Sequence, residues 1–442
     1  MTGLLYSAGS LFSHGVGLAV IIIVLVKVLV AFAALLVAVM MMVWFERKVI
    51  ADMQNRIGPN RAGPWGLLQT LADGIKLFFK EDLLPSHADR RVFRLAPYLA
   101  IVPAFLSFAI VPVGGVVHVA GHTFALQVAN PPMGILFLLA MSSISVYGVM
   151  LAGWSSGSKY PLLGSVRASA QMISYEAALG MSVATVVLVT AWAGGYGAIN
   201  PLTTRAIVAS QAPSAYMWNI IRTGLIPFVI FLIAITAEMN RPPFDLVEAE
   251  QELVGGFNTE YSSLRFAMFY MAEYMNTITM SAIVVTLFLG GPDGPGFHFL
   301  TWLWPILWFL GKTLAFLFVY VWIRASLPRL RYDQLMDMGW KVLIPLSLGW
   351  ILVLAGVLTE HYWFLLLVLV GALLALAMRR AISLGHERSH IPPALARRGS
   401  SSILRGGSPV PGTPVPRSTS ATSATLVPRG RPAGPSGQGM EG

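Results

Sequence analysis

Long apolar runs separated by short polar stretches dominate the chain. They lie near residues 16–45, 95–117, 132–153, 168–193, 217–238, 266–290, 301–323, 342–358 and 362–378. A helix that crosses the hydrocarbon core needs about 20 apolar residues. The last two runs are short, so the pattern predicts nine transmembrane helices, with eight as the alternative. The predicted fold class is an all-α polytopic integral membrane protein.

Composition agrees with this fold class. Of 442 residues, 56% are hydrophobic and 11% are charged, whereas soluble domains carry about 25% charged residues. The absence of cysteine excludes disulfides, thiolate metal sites and cysteine-held iron–sulfur clusters. The first apolar run lacks a basic segment before it and is too long for a signal peptide, so we expect it to be the first span.

The distribution of lysine and arginine predicts the orientation. The net charge of +10 could indicate nucleic-acid binding, but the basic residues gather on one side of the predicted membrane. With the N-terminus outside, the inner loops 46–94, 154–167, 239–265 and 324–341 hold most of them, and the outer loops hold only Arg205 and Arg222. The positive-inside rule then places these inner loops and the C-terminal tail in the cytoplasm.

Two segments outside the spans have distinctive sequence patterns. Residues 65–80 repeat apolar positions at intervals of three and four, which predicts an amphipathic helix lying at the membrane interface. Residues 383–442 are rich in Ser, Pro, Gly, Thr and Arg, and we expect a disordered basic tail. The predicted domains are therefore a transmembrane domain over 1–382 and the tail over 383–442.

The densest run of acids lies in an inner loop between two spans. Five of the chain's 20 carboxylates fall within residues 238–252; they are Glu238, Asp245, Glu248, Glu250 and Glu252. The prolines at 242 and 243 end the preceding helix, and on a new helix Asp245, Glu248 and Glu252 would share one face. A structural alternative is a capping box from Asp245 to Glu248 with solvated acids. We favour proton or cation handling.

Acids also occur inside predicted spans. Glu176 lies in the fourth span, Glu273 in the sixth, and Glu238 ends the fifth. Ionisable residues in spans are rare and usually functional. With the loop acids they predict a file of carboxylates for proton transfer with coupled titrations. The alternative is packing or ion pairing, for which Lys27 and Lys312 are the obvious partners.

The sequence offers no motif typical of metal or nucleotide binding. His118 and His122 are four residues apart in a glycine-rich outer loop, and the eight histidines show no metal-binding spacing. We therefore predict no metal site. No nucleotide-binding fingerprint stands out either, so this chain is not expected to bind NADH, flavin or ATP itself.

Several long motifs resemble one known family. The segments are WFERK (44–48), NRIGPN (55–60), GLLQTLADGIK (66–76), RPPFDLVEAE (241–250), GFNTEY (256–261) and LPRLRYDQL (327–335). They are similar to signatures of the H subunit (subunit 1) of the proton-pumping NADH:quinone oxidoreductase, respiratory complex I. The resemblance covers about residues 15–358, and the ninth span and tail lie beyond the family's common eight-span core.

The resemblance implies a membrane subunit at the junction with the hydrophilic arm, forming much of the quinone tunnel. It implies that the quinone path is bordered by Glu46, Arg47, Arg56, Arg61 and Asp73. It also implies that the loop acids Asp245, Glu248, Glu250 and Glu252 couple quinone reduction to proton movement, and that Glu238, Glu176 and Glu273 extend the path toward antiporter-like subunits.

The resemblance further implies cofactors, partners and location. Quinone is the substrate, and NADH, FMN and the iron–sulfur clusters belong to partner subunits. The partners are hydrophilic quinone-site subunits, antiporter-like membrane subunits and membrane lipid, without nucleic acid. The location implied is the bacterial plasma (inner) membrane.

Three alternatives remain at this level. A membrane-bound [NiFe] hydrogenase complex could use a related subunit, although such relatives usually share only part of these motifs. A secondary cation/proton antiporter acting alone would tend to show internal repeats and broken helices, and we see no repeat. A purely structural anchor would leave three intramembrane glutamates unexplained.

Overall fold

The computed structural model describes residues 17–119, 122–194, 200–246, 254–295 and 302–360, together with residues 371 and 380. The chain divides into two units, Met1–Ala372 and Leu373–Gly442. The predicted ninth span, apart from residue 371, and the predicted tail lie outside the described residues. The acids Glu248, Glu250 and Glu252 also lie outside them.

The described part of the chain is mainly helical. Its helices are α1 Leu18–Met53, α2 Gln69–Phe79, α3 Arg90–Phe108, α4 Gly134–Ser155, α5 Lys159–Ala193, α6 Thr204–Gln211, α7 Asn219–Arg222, α8 Leu225–Glu238, α9 Ser263–Phe288, α10 Leu303–Ser326 and α11 Tyr332–Leu358. Seven of these described helices, α1, α3, α4, α5, α9, α10 and α11, are long and apolar enough to cross a membrane. The helical, polytopic architecture predicted from the sequence is confirmed.

The fifth predicted span differs from the expectation. The apolar run at 217–238 forms the short helix α7 and then α8, whose 14 residues span about 21 Å. Gly224 separates the two with a left-handed φ of 81°, and a Cβ there would lie 2.9 Å from the Trp350 ring. The chain turns where an indole of α11 packs against it, so one continuous helix does not form.

The predicted outer loop around residue 118 contains a β-hairpin, which the all-α prediction missed. Strands β1 Val116–Val119 and β2 His122–Ala125 pair antiparallel, with Val116 opposite Ala125. Four residues per strand give a hydropathy pattern too short to distinguish from a loop. After the hairpin, Gln127 donates 2.7 Å and 2.9 Å hydrogen bonds to the Ile110 carbonyl and the Thr204 hydroxyl.

The helix α9 is the centre of the fold. In its most apolar 18-residue window, 83% of the residues are buried, against 11% for α1. A helix that is apolar on all sides is stable either inside a protein core or against lipid. The burial therefore distinguishes a central helix, α9, from a peripheral one, although Glu273 of α9 is itself partly exposed.

Close backbone contact fixes the end of the acidic loop against α5. A Cβ added to Gly164 of α5 would lie 2.7 Å from the Gly256 Cα, so only glycine allows this approach. Gly256 begins a single 3₁₀ turn, Gly256–Asn258, that leads from the loop toward α9. The contact positions the loop relative to the site described below.

We expect Gly164→Ala to destabilise the subunit, because overpacking against backbone costs about 1–3 kcal/mol. The matched control is Gly180→Ala on the same helix, where a Cβ would meet nothing within 4 Å. Thermal denaturation of the detergent-solubilised complex measures both variants. A Gly164→Ala complex that melts at the same temperature as the Gly180→Ala complex would contradict the importance of this contact.

Candidate functional site

Two acids and two arginines lie where four elements meet; we call them the charge cluster. They are Glu46 of α1, Arg241 of the loop after α8, Glu273 of α9 and Arg324 of α10. Glu46 and Arg241 are buried, and Glu273 and Arg324 are partly exposed. Arg241 lies 2.8 Å from Glu273 through Nε and 3.8 Å from Glu46 through Nη1. Arg324 forms an ion pair with Glu46. Opposite charges compensate each other, as burial of ions requires.

Tyr274 completes the surroundings of Arg241. Its hydroxyl donates a 2.9 Å hydrogen bond to Oε2 of Glu46, and the Arg241 guanidinium lies 4.2 Å from the centre of its ring. Burial by itself would lower the pKa of the guanidinium, but Glu273, Tyr274 and Glu46 raise that pKa above its ordinary value. Arg241 therefore keeps its positive charge although it is only 7% exposed.

Three of the predicted site acids line one cavity, which we call the acid cavity. It has a volume of about 80 Å³, and its lining includes Glu238, Asp245 and Glu273 with Ser142 and Asn276. A cavity of this size has room for several water molecules. Glu238 is 2% exposed, and its Oε2 has no hydrogen-bond partner within the described residues. Water can therefore reach the carboxyl groups that line this cavity.

Two adjacent serines of α4 connect the acid cavity to a fourth predicted acid. Ser142 donates a hydrogen bond to Oε1 of Glu238, and Ser143 donates one to Oε1 of Glu176 on α5. Successive residues of a helix point about 100° apart, so α4 contacts acids of two different helices from one turn. The adjacent serines therefore each hold one of the two acids, Glu238 and Glu176.

A second cavity, the loop cavity, lies beside the end of α1. Its volume is about 440 Å³, and it is lined by Glu46, Arg47, Ile50, Arg56, Ile57, Gly58 and Pro59. Asp73 of α2 pairs with Arg47 at 2.8 Å. Four of the five residues predicted for a quinone path therefore lie at or next to this cavity. Arg61 is exposed and does not contribute to the lining.

Asp245 is buried, which argues against a solvated helix start at this position. It is 3% exposed, lines the acid cavity, and lies 3.4 Å from Nη2 of Arg329. Arg329 belongs to the LPRLRYDQL motif between α10 and α11. The ion pair joins two loop segments that are more than 80 residues apart in the chain. The other three loop acids lie outside the described residues.

Within the described part of the chain, Lys27 and Lys312 do not pair with the intramembrane acids as the sequence suggested. Nζ of Lys312 donates to the carbonyl oxygens of Leu289, Gly291 and Asp293 at 2.8, 3.1 and 2.6 Å. Nζ of Lys27 lies 5.7 Å from the Phe124 ring centre. The alternative of ion pairing therefore holds for Glu273 with a different partner, because the loop after α8 folds back and supplies Arg241.

Sequence reasoning missed several members of the site. Arg241 and Arg324 were assigned to the positive inner surface, and Tyr274, Ser142 and Ser143 were not singled out. The signals were present, since polar residues within apolar runs, such as the Ser142–Ser143 pair, tend to bond across helices. Their specific partners depend on contacts between residues up to 278 positions apart, as for Arg324 and Glu46.

Comparison with known proteins gives one consistent result. Residues 26–355 match the model of the NADH dehydrogenase family. The chain is 52% identical over 338 residues to the NADH-quinone oxidoreductase H subunit of Frankia alni, covering 75% of this chain and 72% of the relative. The Frankia casuarinae protein of the same name gives the same identity and coverage.

A third relative extends the likeness. The NADH-quinone oxidoreductase H subunit of Streptomyces avermitilis is 45% identical over 428 residues, covering 93% of this chain and 90% of the relative. That coverage passes residue 358 and reaches into the C-terminal tail. The family match runs from within α1 to within α11 and includes every residue of both cavities. This chain therefore belongs to the NADH dehydrogenase family.

Proposed function

We propose that this chain is the membrane subunit of a proton-translocating NADH:quinone oxidoreductase that lies at the junction with the hydrophilic arm. It forms the membrane part of the quinone tunnel and couples quinone reduction to proton translocation through a file of carboxylates. The chain is catalytic only within the assembled complex. NADH, FMN and the iron–sulfur clusters are held by partner subunits, in keeping with the absence of cysteine here.

The observation that carries this proposal is the acid cavity. Glu238, Asp245 and Glu273 come from three separate segments, yet they line one space of about 80 Å³. Carboxyl groups that share a few waters can exchange protons, and their titrations are coupled. Glu176 extends the file through Ser143. Glu273 and Asp245 are each paired with an arginine, but Glu238 is buried with one carboxylate oxygen that has no hydrogen-bond partner within the described residues. Burial of such an acid destabilises a fold, so a functional role explains Glu238 better than packing does.

The loop cavity is the proposed quinone path. Its volume of about 440 Å³ falls within the range of about 300–1,000 Å³ that is usual for ligand sites. Quinone carbonyl oxygens accept hydrogen bonds, and the Arg47 and Arg56 side chains lining the cavity offer donors. The proposed quinone path also includes Glu46, Asp73 and Arg61. Of these, Arg61 is an exposed residue of the loop that follows α1.

Exposed apolar side chains and the distribution of basic residues support a location and an orientation in the membrane. Leu68, Leu71, Ile75, Phe78 and Phe79 of the α2 region are exposed apolar side chains, which suits a helix lying in the bilayer interface. We place the basic loops on the cytoplasmic side of the bacterial plasma membrane, the N-terminus outside and the C-terminal tail inside. The partners are hydrophilic quinone-site subunits and antiporter-like membrane subunits.

Asp245→Asn tests the role of the acid cavity. The amide cannot bind or release a proton, so we expect inhibitor-sensitive NADH:quinone activity of membranes to fall at least tenfold. Asn is nearly isosteric and keeps a hydrogen-bond acceptor for Arg329, so the complex should still assemble. Subunit content is checked by mass spectrometry of the purified complex.

The matched control is Asp337→Asn, an exposed acid paired with Lys341 at 2.6 Å. It should keep its activity within twofold, because exposed ion pairs contribute about 0–1 kcal/mol. Normal assembly together with normal turnover in Asp245→Asn would move the mechanism away from this cavity. Purification without NADH-oxidising partners would favour a hydrogenase or a stand-alone antiporter.

A further inference from the structure

The helix α2 has little packing to hold it against the rest of the subunit. All 11 of its residues are described, and none of them is buried. Most helices in proteins are stabilised by packing an apolar face against their neighbours. In α2 the apolar side chains Leu71, Ile75 and Phe78 are exposed instead. The position of α2 relative to the other helices therefore depends largely on polar contacts.

Two serines at the start of the central helix α9 hold the C-terminal end of α2. The hydroxyl oxygen of Ser263 lies 3.0 Å from the Leu77 carbonyl oxygen and 2.8 Å from that of Lys80. The hydroxyl oxygen of Ser262 accepts a 2.8 Å hydrogen bond from the Leu83 N–H. The last carbonyls of a helix have no partner within it. Here they are capped by a segment 179 to 186 residues further along the chain.

The segment that carries these serines is itself fixed in the core. Arg265 pairs with Asp82, in the chain that follows α2, at 2.8 Å, and its guanidinium lies 5.5 Å from the centre of the Phe93 ring of α3. Tyr261 stacks on the same ring with 4.0 Å between the ring centres, and it is buried. Residues 261–265 are therefore anchored to α3 on one side while they hold the end of α2 on the other.

We propose that Ser262, Ser263 and Arg265, which we call the α2 latch, are positioning residues for quinone binding. The latch fixes α2 and thereby the ion pair of Arg47 and Asp73 beside the loop cavity. This inference rests on the proposed function, because it assigns the residues that hold one side of the proposed quinone path in place.

The connection from the latch to the loop cavity is short. Asp73 lies about 9 Å along the helix axis from Phe79, the last residue of α2. Its carboxylate lies 2.8 Å from Nη1 of Arg47, which lines the loop cavity and is exposed, so this ion pair orients the guanidinium. Before α2, Nε1 of Trp44 donates a 3.0 Å hydrogen bond to the Trp65 carbonyl. Loss of the latch therefore frees only the C-terminal end of α2, and the carboxylate moves with it.

The backbone at Ser263 makes alanine the informative substitution. Its φ of 55° lies in the left-handed region, which side chains with a Cβ rarely adopt, and its side chain is 4% exposed. Alanine has the same Cβ as serine and meets the same backbone restriction. Ser263→Ala therefore removes the buried hydroxyl and its contacts with α2 while leaving the backbone conformation equally constrained.

Ser263→Ala tests the proposal in membranes that contain the assembled complex. We expect the KM for decylubiquinone to rise at least threefold, because the Arg47 donor is no longer held in one place. The kcat should stay within twofold of wild type. Hydrogen–deuterium exchange of the purified complex, followed by mass spectrometry, should be at least fivefold faster for the amides of residues 69–79.

The matched control is Ser281→Ala on the same helix, where the buried hydroxyl donates a 2.8 Å hydrogen bond to the Thr277 carbonyl of α9 itself. This variant should keep the wild-type KM and the wild-type exchange of α2. An unchanged KM or unchanged α2 exchange in assembled Ser263→Ala overturns the proposal, as does a fall in kcat at constant KM. A wild-type complex that reduces neither a short-chain benzoquinone nor a short-chain naphthoquinone would instead overturn the proposed function.

Ser262→Ala gives a second measurement if Ser263→Ala fails to assemble. Ser262 has an ordinary extended backbone with a φ of −132°, and it is half-buried, so alanine fits there without strain. The substitution removes the acceptor of the Leu83 N–H. We expect the same direction of change, with KM about twofold higher and faster exchange of α2. Wild-type values of both quantities in assembled Ser262→Ala overturn the proposal.

Discussion

Glu238→Gln is expected to lower both quinone reductase activity and proton pumping at least tenfold in the assembled complex. The carboxyl group is 2% exposed, accepts a hydrogen bond from Ser142, and lines the acid cavity. Glutamine has almost the same shape and still accepts that hydrogen bond, but it cannot carry a proton. The loss would therefore come from proton transfer rather than from packing.

The exposed residue Glu81 provides the control, because Glu81→Gln removes an equal charge from the surface of the same protein. That variant should keep its activity within twofold. Glu176→Gln should behave like Glu238→Gln, because Ser143, which donates a hydrogen bond to Glu176, adjoins the Ser142 that donates one to Glu238. The measurements are inhibitor-sensitive NADH:quinone activity and dye-detected proton uptake in vesicles. Normal coupled turnover in assembled Glu238→Gln would exclude this residue from the proton path.

Glu46→Ala is expected to produce the largest loss of stability. Glu46 is 6% exposed and is hydrogen-bonded to Arg324 and Tyr274, with Arg241 at 3.8 Å. Removing one member of a buried ion pair costs about 3–5 kcal/mol, because the remaining charge stays buried without its partner. The complex should assemble at a small fraction of its normal amount.

Blue-native gels and thermal denaturation of the solubilised complex measure this effect. Asp337→Ala removes an exposed carboxylate from an ion pair with Lys341 and should assemble normally. Glu46→Gln keeps the side-chain volume and an acceptor for Tyr274, so it should fall between the two. Normal assembly of Glu46→Ala would mean that water compensates the two arginines and that the charge cluster is not a structural centre.

The sequence by itself determined the membrane class and the approximate positions of most spans. Hydropathy acts locally, because about 20 consecutive apolar residues suffice to cross a bilayer whatever the rest of the chain does. The same local pattern singled out Glu176, Glu238 and Glu273 as candidate site residues, because a charge within an apolar run is conspicuous. The motifs from WFERK to LPRLRYDQL also carried the family resemblance, which the comparisons confirm.

Only the tertiary structure decided which of these groups meet. The sequence suggested Lys27 and Lys312 as partners of the buried acids, yet the structure pairs Glu273 and Glu46 with Arg241, and Glu46 also with Arg324. Side-chain pairing across helices depends on helix rotation and on how the loop after α8 folds back. Hydropathy does not record either of these, because every rotation of an apolar helix satisfies the lipid equally well.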